Sequence, residues 1–349
     1  MTGSPLYIVG PCAAESRDQV METARGLAEV IGYGLQVTGS PFIFRAGVWK
    51  PRSRPDTFQG AGEEGLKWLQ EVRETYHVPV ATEVATPEHV EAALAAGMDY
   101  LWIGARTSAN PIAVEALVEE FKKFKEFKKF KGFKEFKGWL IKNPVNADAE
   151  LWLGNIERLE KTGVPVMAVH RGCNHQPCWA MAHKVRTARP DIPMLLDPSH
   201  MSGDAKQVPV LLEKVPELGL DGAMIEVHCC PEKALSDAKQ QIKPEELKSL
   251  RSLRSLRGLR EEGLELNWFR AEIDELDDQL WETLAARMDV SRRIGEWKKA
   301  HGVAPLQPER YQQIVERIQK TDRYADRIQT DFAIRLYNLI HEESLKQQK

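Results

Sequence analysis

The stretch VPVMAVHRG, residues 164–172, contains the pattern that decides the fold. Its apolar, largely β-branched run is typical of a strand buried on both faces, as in a parallel sheet. His170 and Arg171 follow at once, so the predicted strand ends in side chains capable of chemistry. Seven similar runs occur between residues 5 and about 240, each followed by a segment with helical spacing. They are Leu6–Gly10, Phe42–Gly47, Val78–Val84, Tyr100–Arg106, Trp139–Asn143, Met194–Asp197 and Ala223–His228.

The number of these units predicts the fold class. Eight strand–helix units in about 240 residues fit a (β/α)8 barrel, and a doubly wound open sheet is the alternative. From Asn267 onward the strand signals stop, and the apolar spacing predicts helices over Asn267–His301, Pro308–Lys320 and Asp326–Lys346. We therefore predict an α/β TIM barrel over residues 1–245 and a small all-α three-helix domain over residues 267–349. The linker between them, residues 246–266, has leucine at every third position.

The composition is ordinary for a globular protein, since 42% of the 349 residues are hydrophobic and 28% are charged. The net charge of -3 gives the chain no global bias toward nucleic acid or membrane surfaces. No apolar stretch reaches the roughly 18 residues of a membrane-spanning helix, and the first residues show no secretory signal. Five cysteines are too few for a disulfide framework, so we expect a reducing compartment, the cytoplasm.

Cations are concentrated at the ends of the predicted strands. In barrel enzymes the reacting groups lie at the carboxyl ends of the strands, so these side chains would meet at one mouth. Six cations there would repel one another unless anions bind, and guanidinium groups match the oxygens of phosphate and carboxylate. We therefore expect phosphorylated, acidic substrates. The six cations are Arg45, Lys50, Arg52, Arg106, Lys142 and Arg171.

A second group at the strand ends could hold a metal ion, and it consists of Cys12, His200, Glu226 and Asp237. Mixed sulfur, nitrogen and oxygen ligands suit Mn²⁺, Fe²⁺, Co²⁺ or Zn²⁺ better than Mg²⁺. A rival set, close together in the sequence, leaves a structural zinc site open as an alternative. The rival set is His170, Cys173, His175, Cys178 and His183.

Eight short motifs occur along residues 5–245. They are GPCAAE (10–15), FRAGVWKPRS (44–53), GART (104–107), IKNP (141–144), VHRG (169–172), DPSH (197–200), IEVH (225–228) and LSD (235–237). In family order, these motifs resemble the short bacterial type of 3-deoxy-7-phosphoheptulonate (DAHP) synthase. The resemblance implies a (β/α)8 barrel that condenses phosphoenolpyruvate (PEP) with erythrose 4-phosphate and releases phosphate, the step that opens the shikimate pathway.

The resemblance also implies roles for individual residues. The divalent metal would be held by Cys12, His200, Glu226 and Asp237. PEP would be bound by Arg106, Lys142 and Arg171, with Arg45, Lys50 and Glu83 at the same mouth. Arg52 and Ser53 would bind the phosphate of erythrose 4-phosphate. The sister octulosonate family has Ala-Asn-Arg-Ser in place of Lys-Pro-Arg-Ser, so this chain favours the four-carbon sugar. Lys50 is in addition the candidate proton donor.

The first C-terminal helix carries three cations with an informative spacing. Arg287 and Lys298 are 11 residues apart and fall within about 20° of each other on one helix face. Arg270 lies 17 residues before Arg287, about 25 Å along the axis, so it would have to serve a neighbouring chain. By periodicity alone, a plain helical oligomerisation module is the better interpretation.

The motifs LNWFR (266–270), LAAR (284–287), PLQPER (305–310) and HEES (341–344) are similar to the all-helical chorismate mutase family. That family forms an intertwined dimer and converts chorismate to prephenate, which requires cations that hold the substrate in its reactive geometry. Gln307 and Tyr311 depart from the Asp and Glu that are common there. The alternative is a domain that only makes the homodimer and senses prephenate or chorismate. The implied catalytic residues are Arg270 (across the dimer), Arg287, Lys298, Arg310, Ser344 and Gln348.

Phenylalanine recurs at every third position from Phe121 to Phe136, in a lysine-rich stretch. Each step of three lags by about 60° on a helix, so the rings circle it and form no single apolar stripe. We interpret the run as a low-complexity replacement of a barrel helix, and any resulting shift in strand register would displace Lys142. A basic, aromatic surface for membranes or nucleic acid is the alternative, but we expect neither partner.

Overall fold

The computed structural model describes residues 6–38, 42–50, 56–128, 136–247, 263–321 and 326–348. Its contacts divide the chain into two compact units, Met1–Glu272 and Ile273–Lys349. The predicted residues Arg52 and Ser53 lie outside the described ranges, and so does most of the leucine repeat of the predicted linker.

The first unit contains a closed barrel of parallel strands, which confirms the predicted TIM barrel and excludes the open sheet. Neighbouring strands pair in chain order, and the barrel closes where the first strand pairs with the last, from Leu6 opposite Gly222 to Gly10 opposite Glu226. The strands are β1 (Leu6–Gly10), β2 (Phe42–Arg45), β3 (Val80–Val84), β4 (Tyr100–Ile103), β5 (Gly138–Lys142), β6 (Val166–His170), β7 (Met194–Leu196) and β8 (Gly222–Glu226).

The helices lie between the strands of the barrel and then follow it. The helices of the barrel unit are α1 (Arg17–Thr38), α2 (Glu63–Tyr76), α3 (Pro87–Ala95), α4 (Ala105–Ser108), α5 (Pro111–Lys128), α6 (Ala149–Glu160), α7 (Trp179–Ala188), α8 (Pro198–Ser202), α9 (Val208–Leu212) and α10 (Lys214–Glu217). Three more helices complete the described chain: α11 (Leu264–Ala300), α12 (Pro308–Gln319) and α13 (Thr330–Gln347). The division between the units falls inside α11.

The prediction of a strand over Tyr100–Arg106 was wrong at the carboxyl end of the strand. β4 stops at Ile103, and Arg106 lies on the short helix α4. The reason is local, because the Ser108 N–H donates to the Gly104 carbonyl at 2.9 Å and closes a helical turn in place of strand pairing. Arg106 still emerges at the carboxyl end of β4, but from a helix.

The barrel interior is packed solid. Side chains that alternate inward along the strands form a cluster of their own, which includes Ile8, Trp102, Leu140 and Met224. Above this cluster the guanidinium of Arg45 lies 4.7 Å from the centre of the Trp102 ring. Because the interior is filled, a ligand can enter only above it, at the carboxyl ends of the strands.

The phenylalanine run is partly absorbed into the core. Phe121 and Phe124 are buried on α5, whereas Phe127, one step further, is 67% exposed, as a three-residue period on a helix requires. Phe121 packs against Phe136 and Trp139, with ring centres 5.2 and 5.4 Å away. Phe121, Phe124 and Phe136 therefore belong to the core of the barrel unit.

The strand after the run keeps its register. In β5, Ile141 pairs with Ala168 and Lys142 pairs with Val169. The register shift that could have displaced Lys142 therefore does not occur. Phe130 and Phe133 lie outside the described residues.

The second unit is helical, and its helices pack closely at one point. A Cβ on Gly295 of α11 would lie 2.6 Å from the Cα of Gln348, so only glycine allows this approach.

In the described ranges, no helix is both long enough and apolar enough to cross a membrane.

Candidate functional site

A cavity of about 380 Å³ opens at the carboxyl ends of the barrel strands. Five of the six predicted strand-end cations contribute to its wall, and so do the predicted Glu83, His200 and Asp237. The sixth cation, Arg52, lies outside the described residues together with Ser53. Thus the fold brings together most of the predicted substrate-binding set in one place. The five cations are Arg45, Lys50, Arg106, Lys142 and Arg171.

Asp197 organises one side of this cavity. It is fully buried after β7, and its carboxylate accepts from Lys142 Nζ at 2.6 Å and pairs with His200 Nδ1 at 2.9 Å. Burial alone would raise the pKa of Asp197, but the positive charges of His200 and Lys142 outweigh it and hold that pKa well below its usual range. With its Nδ1 engaged, His200 turns Nε2 toward Glu226 Oε1, 3.6 Å away. Arg171 is tied to the same region through its Nη2, which donates to the His200 carbonyl at 3.4 Å.

Arg45 lies beneath the cavity floor with 1% of its surface exposed. Its Nη2 donates to Glu226 Oε1 at 3.2 Å and to the Cys12 carbonyl at 3.4 Å. Its Nε and Nη1 have no hydrogen-bond partner among the described residues. Arg45 also contributes to the cavity lining, so its positive charge favours an anionic ligand there.

Lys50 forms the opposite wall. Its Nζ donates to the Cys12 carbonyl at 3.2 Å and lies 3.7 Å from Glu83 Oε2. Burial would lower the pKa of Lys50, but its electrostatic interactions with Cys12, Glu83 and Glu226 raise that pKa above its ordinary value. Lys50 is therefore an ammonium held in place at the cavity. Gly104 makes room for Glu83, because a Cβ there would lie 2.0 Å from Glu83 Oε1.

Three of the four predicted metal ligands converge. Ligand atoms of Cys12, Glu226 and Asp237 all lie within 4.8 Å of one another, and Cys12 Sγ is 2.9 Å from Asp237 Oδ2. Burial, reinforced by Glu226, raises the pKa of the Cys12 thiol. A buried thiol beside two carboxylates is a donor set that a divalent cation would stabilise, so these residues fit a metal ion. His200 lies beside this group, on the Glu226 side.

The rival zinc set does not assemble. Among the described residues, the only cluster of three or more His, Cys, Asp or Glu donors with that spacing is the one around Cys12. His170 Nε2 bonds to the Pro177 carbonyl at 2.6 Å, and His183 Nδ1 lies 2.8 Å from Glu272. The alternative of a structural zinc in this loop is therefore not supported.

Several residues of the site were missed from the sequence. Asp197 was recognised as a strand end but given no role, and His175 lines the cavity as well. Gln240 and Gln241 are buried next to the metal-ligand group. Amides carry no charge and match no spacing rule, so only their position after Asp237 could have pointed to them.

The second unit brings together four predicted residues, three on α11 and α13 and the fourth, Gln348, directly after α13. The guanidinium of Arg287 donates to the Ser344 hydroxyl. Lys298 Nζ donates to Gln348 Oε1 at 3.0 Å and to the Pro305 carbonyl at 2.6 Å. Two cations with polar partners on facing helices can hold an anionic ligand.

The remaining predicted residues of the helical domain are not joined to this group. Arg310 is exposed and donates to Gln313 at 3.3 Å. Tyr311, which departs from the mutase pattern, donates its hydroxyl proton to Asn338 Oδ1 at 2.7 Å. Arg270 is exposed on the part of α11 that belongs to the first unit.

Comparison with known proteins follows the division of the chain. The sequence model of the DAHP synthetase I family matches residues 2–257, and that of chorismate mutase type II matches residues 269–349. The phospho-2-dehydro-3-deoxyheptonate aldolase of Thermotoga maritima is 32% identical over 250 residues, 70% of this chain and 67% of that protein.

A second relative and a solved structure extend the comparison. The 2-dehydro-3-deoxyphosphooctonate aldolase of Bordetella pertussis is 28% identical over 263 residues, 70% of this chain and 88% of that protein. A crystal structure of a Thermotoga maritima DAHP synthase covers 73% of this chain and 70% of its own, with 28% identity and a TM-score of 0.60.

Proposed function

The chain belongs to the DAHP synthetase I family, and from this we propose that its barrel condenses PEP with erythrose 4-phosphate and one water molecule to give DAHP and phosphate. With its chorismate mutase type II region the chain is a bifunctional shikimate-pathway enzyme. The observation that carries the proposal is the cavity itself, in which cations on several strand ends surround a cluster of metal-type ligands.

PEP would bind on the side of Lys142, Arg171 and Arg106. These residues surround the cavity above Asp197, and their charges complement the phosphate and carboxylate of PEP. The positive charge of Arg45, which also lines the cavity, adds to this anion site. Binding in this way would orient C3 of PEP toward the second substrate, which supplies much of the rate enhancement in a two-substrate reaction.

Cys12, Glu226 and Asp237, with His200 beside them, would hold a divalent transition metal. When bound, this ion would polarise the aldehyde of erythrose 4-phosphate toward attack. Lys50, an ammonium at the same cavity, would stabilise the negative charge that develops on the aldehyde oxygen and donate the proton. Arg52 and Ser53 remain the proposed site for the sugar phosphate.

The helical domain, residues 267–349, would convert chorismate to prephenate. Arg287 and Lys298, with Ser344 and Gln348, would hold the two carboxylates and the ether oxygen of chorismate in the reactive geometry. Arg310 would join them on ligand binding, and Arg270 would reach the site of a second copy. No covalent step is required of the protein.

A homodimer is part of this proposal. Large apolar side chains along α11 are strongly exposed, among them Leu276 (62%), Trp281 (66%) and Trp297 (57%). A long helix with unpartnered apolar side chains fits a second copy of the same helix. None of the five cysteines, all of which lie in the described ranges, forms a disulfide, and we propose a reducing setting for the protein.

A coupled assay tests the synthase proposal. Purified full-length protein with PEP, erythrose 4-phosphate and Mn²⁺ should release phosphate, and EDTA should abolish the release. Cys12→Ala should be inactive, whereas Cys178→Ala, a cysteine outside the cluster, should behave like the wild type. Full activity of Cys12→Ala would refute the ligand assignment. Faster turnover with arabinose 5-phosphate would refute the choice of sugar.

The second candidate is a synthase whose helical domain only dimerises the chain and senses prephenate or chorismate. It is favoured by Tyr311, whose hydroxyl is engaged with Asn338 where the mutase pattern has a Glu. Chorismate consumption by the full-length protein separates the two candidates. Conversion to prephenate supports the mutase, and inhibition of phosphate release without conversion supports the sensor.

A further inference from the structure

The loop after β8 is closed onto the strand that it leaves. Val227 and Ile242 form a parallel bridge, in which His228 N–H donates to the Ile242 carbonyl at 2.9 Å and Ile242 N–H to the Glu226 carbonyl at 3.0 Å. Asp237 lies within this loop, in the left-handed backbone region at φ 49°. The loop therefore presents Asp237 to the barrel mouth from a backbone anchored at both ends.

Gln240 is the first of two adjacent glutamines just before the loop closes. It is buried, and its Nε2 donates to Glu226 Oε2 at 2.7 Å. The other oxygen, Oε1, faces Arg45 and His200. Gln240 thus donates a hydrogen bond from a neutral group to Glu226 Oε2. Glu226 Oε1 remains on the side of Arg45 and His200.

Gln241 ties the other two ligands together. It is 2% exposed, its Oε1 accepts from the Cys12 N–H at 3.0 Å, and its Nε2 donates to the Ser236 carbonyl at 2.8 Å. One side chain therefore joins the backbone of Cys12 to the peptide group that precedes Asp237. The two ligands are 225 residues apart in sequence, yet their side chains meet at 2.9 Å.

We propose that Gln240 and Gln241 are positioning residues for a divalent-cation site formed by Cys12, Glu226 and Asp237. This inference rests on the proposed metal dependence of the synthase. An amide fits the role because it fixes an anionic donor without adding charge, whereas a lysine would compete with the cation and a glutamate would add repulsion. Substitution of such outer partners in metalloproteins lowers metal affinity by about 10–100-fold.

The test measures metal binding with no turnover. Full-length protein is stripped with EDTA, freed of chelator and titrated with Co²⁺ alone by isothermal titration calorimetry. Gln240→Met and Gln241→Met keep the side-chain volume and remove the hydrogen bonds. We expect each variant to bind Co²⁺ about 10–100-fold more weakly than the wild type. Lys239→Met, an exposed position in the same turn, is the matched control and should bind like the wild type.

A second readout covers the case in which a variant is less stable. Co²⁺ that binds only the folded state raises the melting temperature, and the rise reports affinity whatever the starting value. The rise should be smaller in both glutamine variants than in Lys239→Met. Equal Co²⁺ affinity and an equal rise in all proteins would overturn the positioning role. If the wild type itself binds no Co²⁺, the proposed metal dependence fails and this inference fails with it.

Discussion

Lys142 Nζ and Asp197 Oδ2 lie 2.6 Å apart, and both side chains are buried at the base of the barrel mouth. The same carboxylate also orients His200. One acidic group therefore orients both Lys142, a proposed substrate-binding cation, and His200, a candidate metal ligand. Asp197 therefore connects the cations proposed to bind PEP with the residues proposed to hold the metal ion.

Asp197→Asn should impair catalysis and also lower the stability of the fold, because it leaves the buried Lys142 without its counter-charge. The amide keeps the shape but not the charge that orients Lys142 and His200, and a misplacement of about 1 Å in such groups can cost about 10²-fold. We expect kcat/KM for phosphate release to fall by about that factor. Asp191→Asn, at a surface pair with Arg189, is the control and should leave the rate unchanged. Wild-type kinetics in Asp197→Asn would show that the buried contact is dispensable.

Gly104→Ala should displace Glu83. The added methyl would lie 2.0 Å from the Glu83 carboxylate, which must then move away from Lys50. Because a side chain can shift, we expect a loss of only about 1 kcal/mol in the free energy of unfolding, together with a roughly 10-fold fall in kcat/KM. Gly154→Ala, on α6 next to the flexible Arg158, should retain activity. Equal kinetics in the two variants would contradict the role of Gly104.

His170 should make the barrel sensitive to mild acid. It is buried between Trp152 and Trp179, and burial, reinforced by Arg171, lowers its pKa to about 4. The unfolded chain takes up this proton near pH 6.5. The contribution of His170 to stability is therefore complete above pH 6.5, and is lost as the pH falls from 6.5 toward 4.

Urea unfolding at pH 7 and pH 5.5 measures this effect. Between these values the wild type should lose about 1 kcal/mol more than His170→Gln, which has no titratable ring at this position. The glutamine amide can still donate to the Pro177 carbonyl. An identical pH dependence in both proteins would mean that His170 has the same pKa in the folded and unfolded states.

Arg287→Ala should separate the two activities. Loss of this guanidinium removes a cation beside Ser344 in the helical unit, and loss of one charge-stabilising donor typically costs about 10²–10³-fold in kcat. We expect chorismate conversion to fall by that factor while phosphate release is retained. Arg292→Ala, on the same helix but paired with Asp289 on the surface, is the control. A parallel loss of both activities would show that the residue acts on the whole protein.

The architecture could be predicted from the sequence, because each barrel strand is an unbroken apolar run that ends in polar residues. The error at β4 arose because no residue in Gly104–Thr107 forbids a strand, and only hydrogen bonding in the fold selects the turn. The charged members of the site were recognisable since they follow strand ends. Gln240 and Gln241 could not be recognised in the sequence. The role of a neutral amide depends on the carboxylate or peptide group that the fold places next to it.

The burial of Arg45 against Glu226 has a consequence for how this barrel can diverge. Each side chain is almost completely enclosed, so a substitution of either one would leave the other as an uncompensated buried charge, at a cost of about 3–5 kcal/mol. Selection should therefore remove single substitutions at these two positions, whereas a simultaneous substitution of both residues could be retained. In an alignment of descendants, positions 45 and 226 should covary, and a lineage that abandons its acidic metal ligand should abandon the arginine as well.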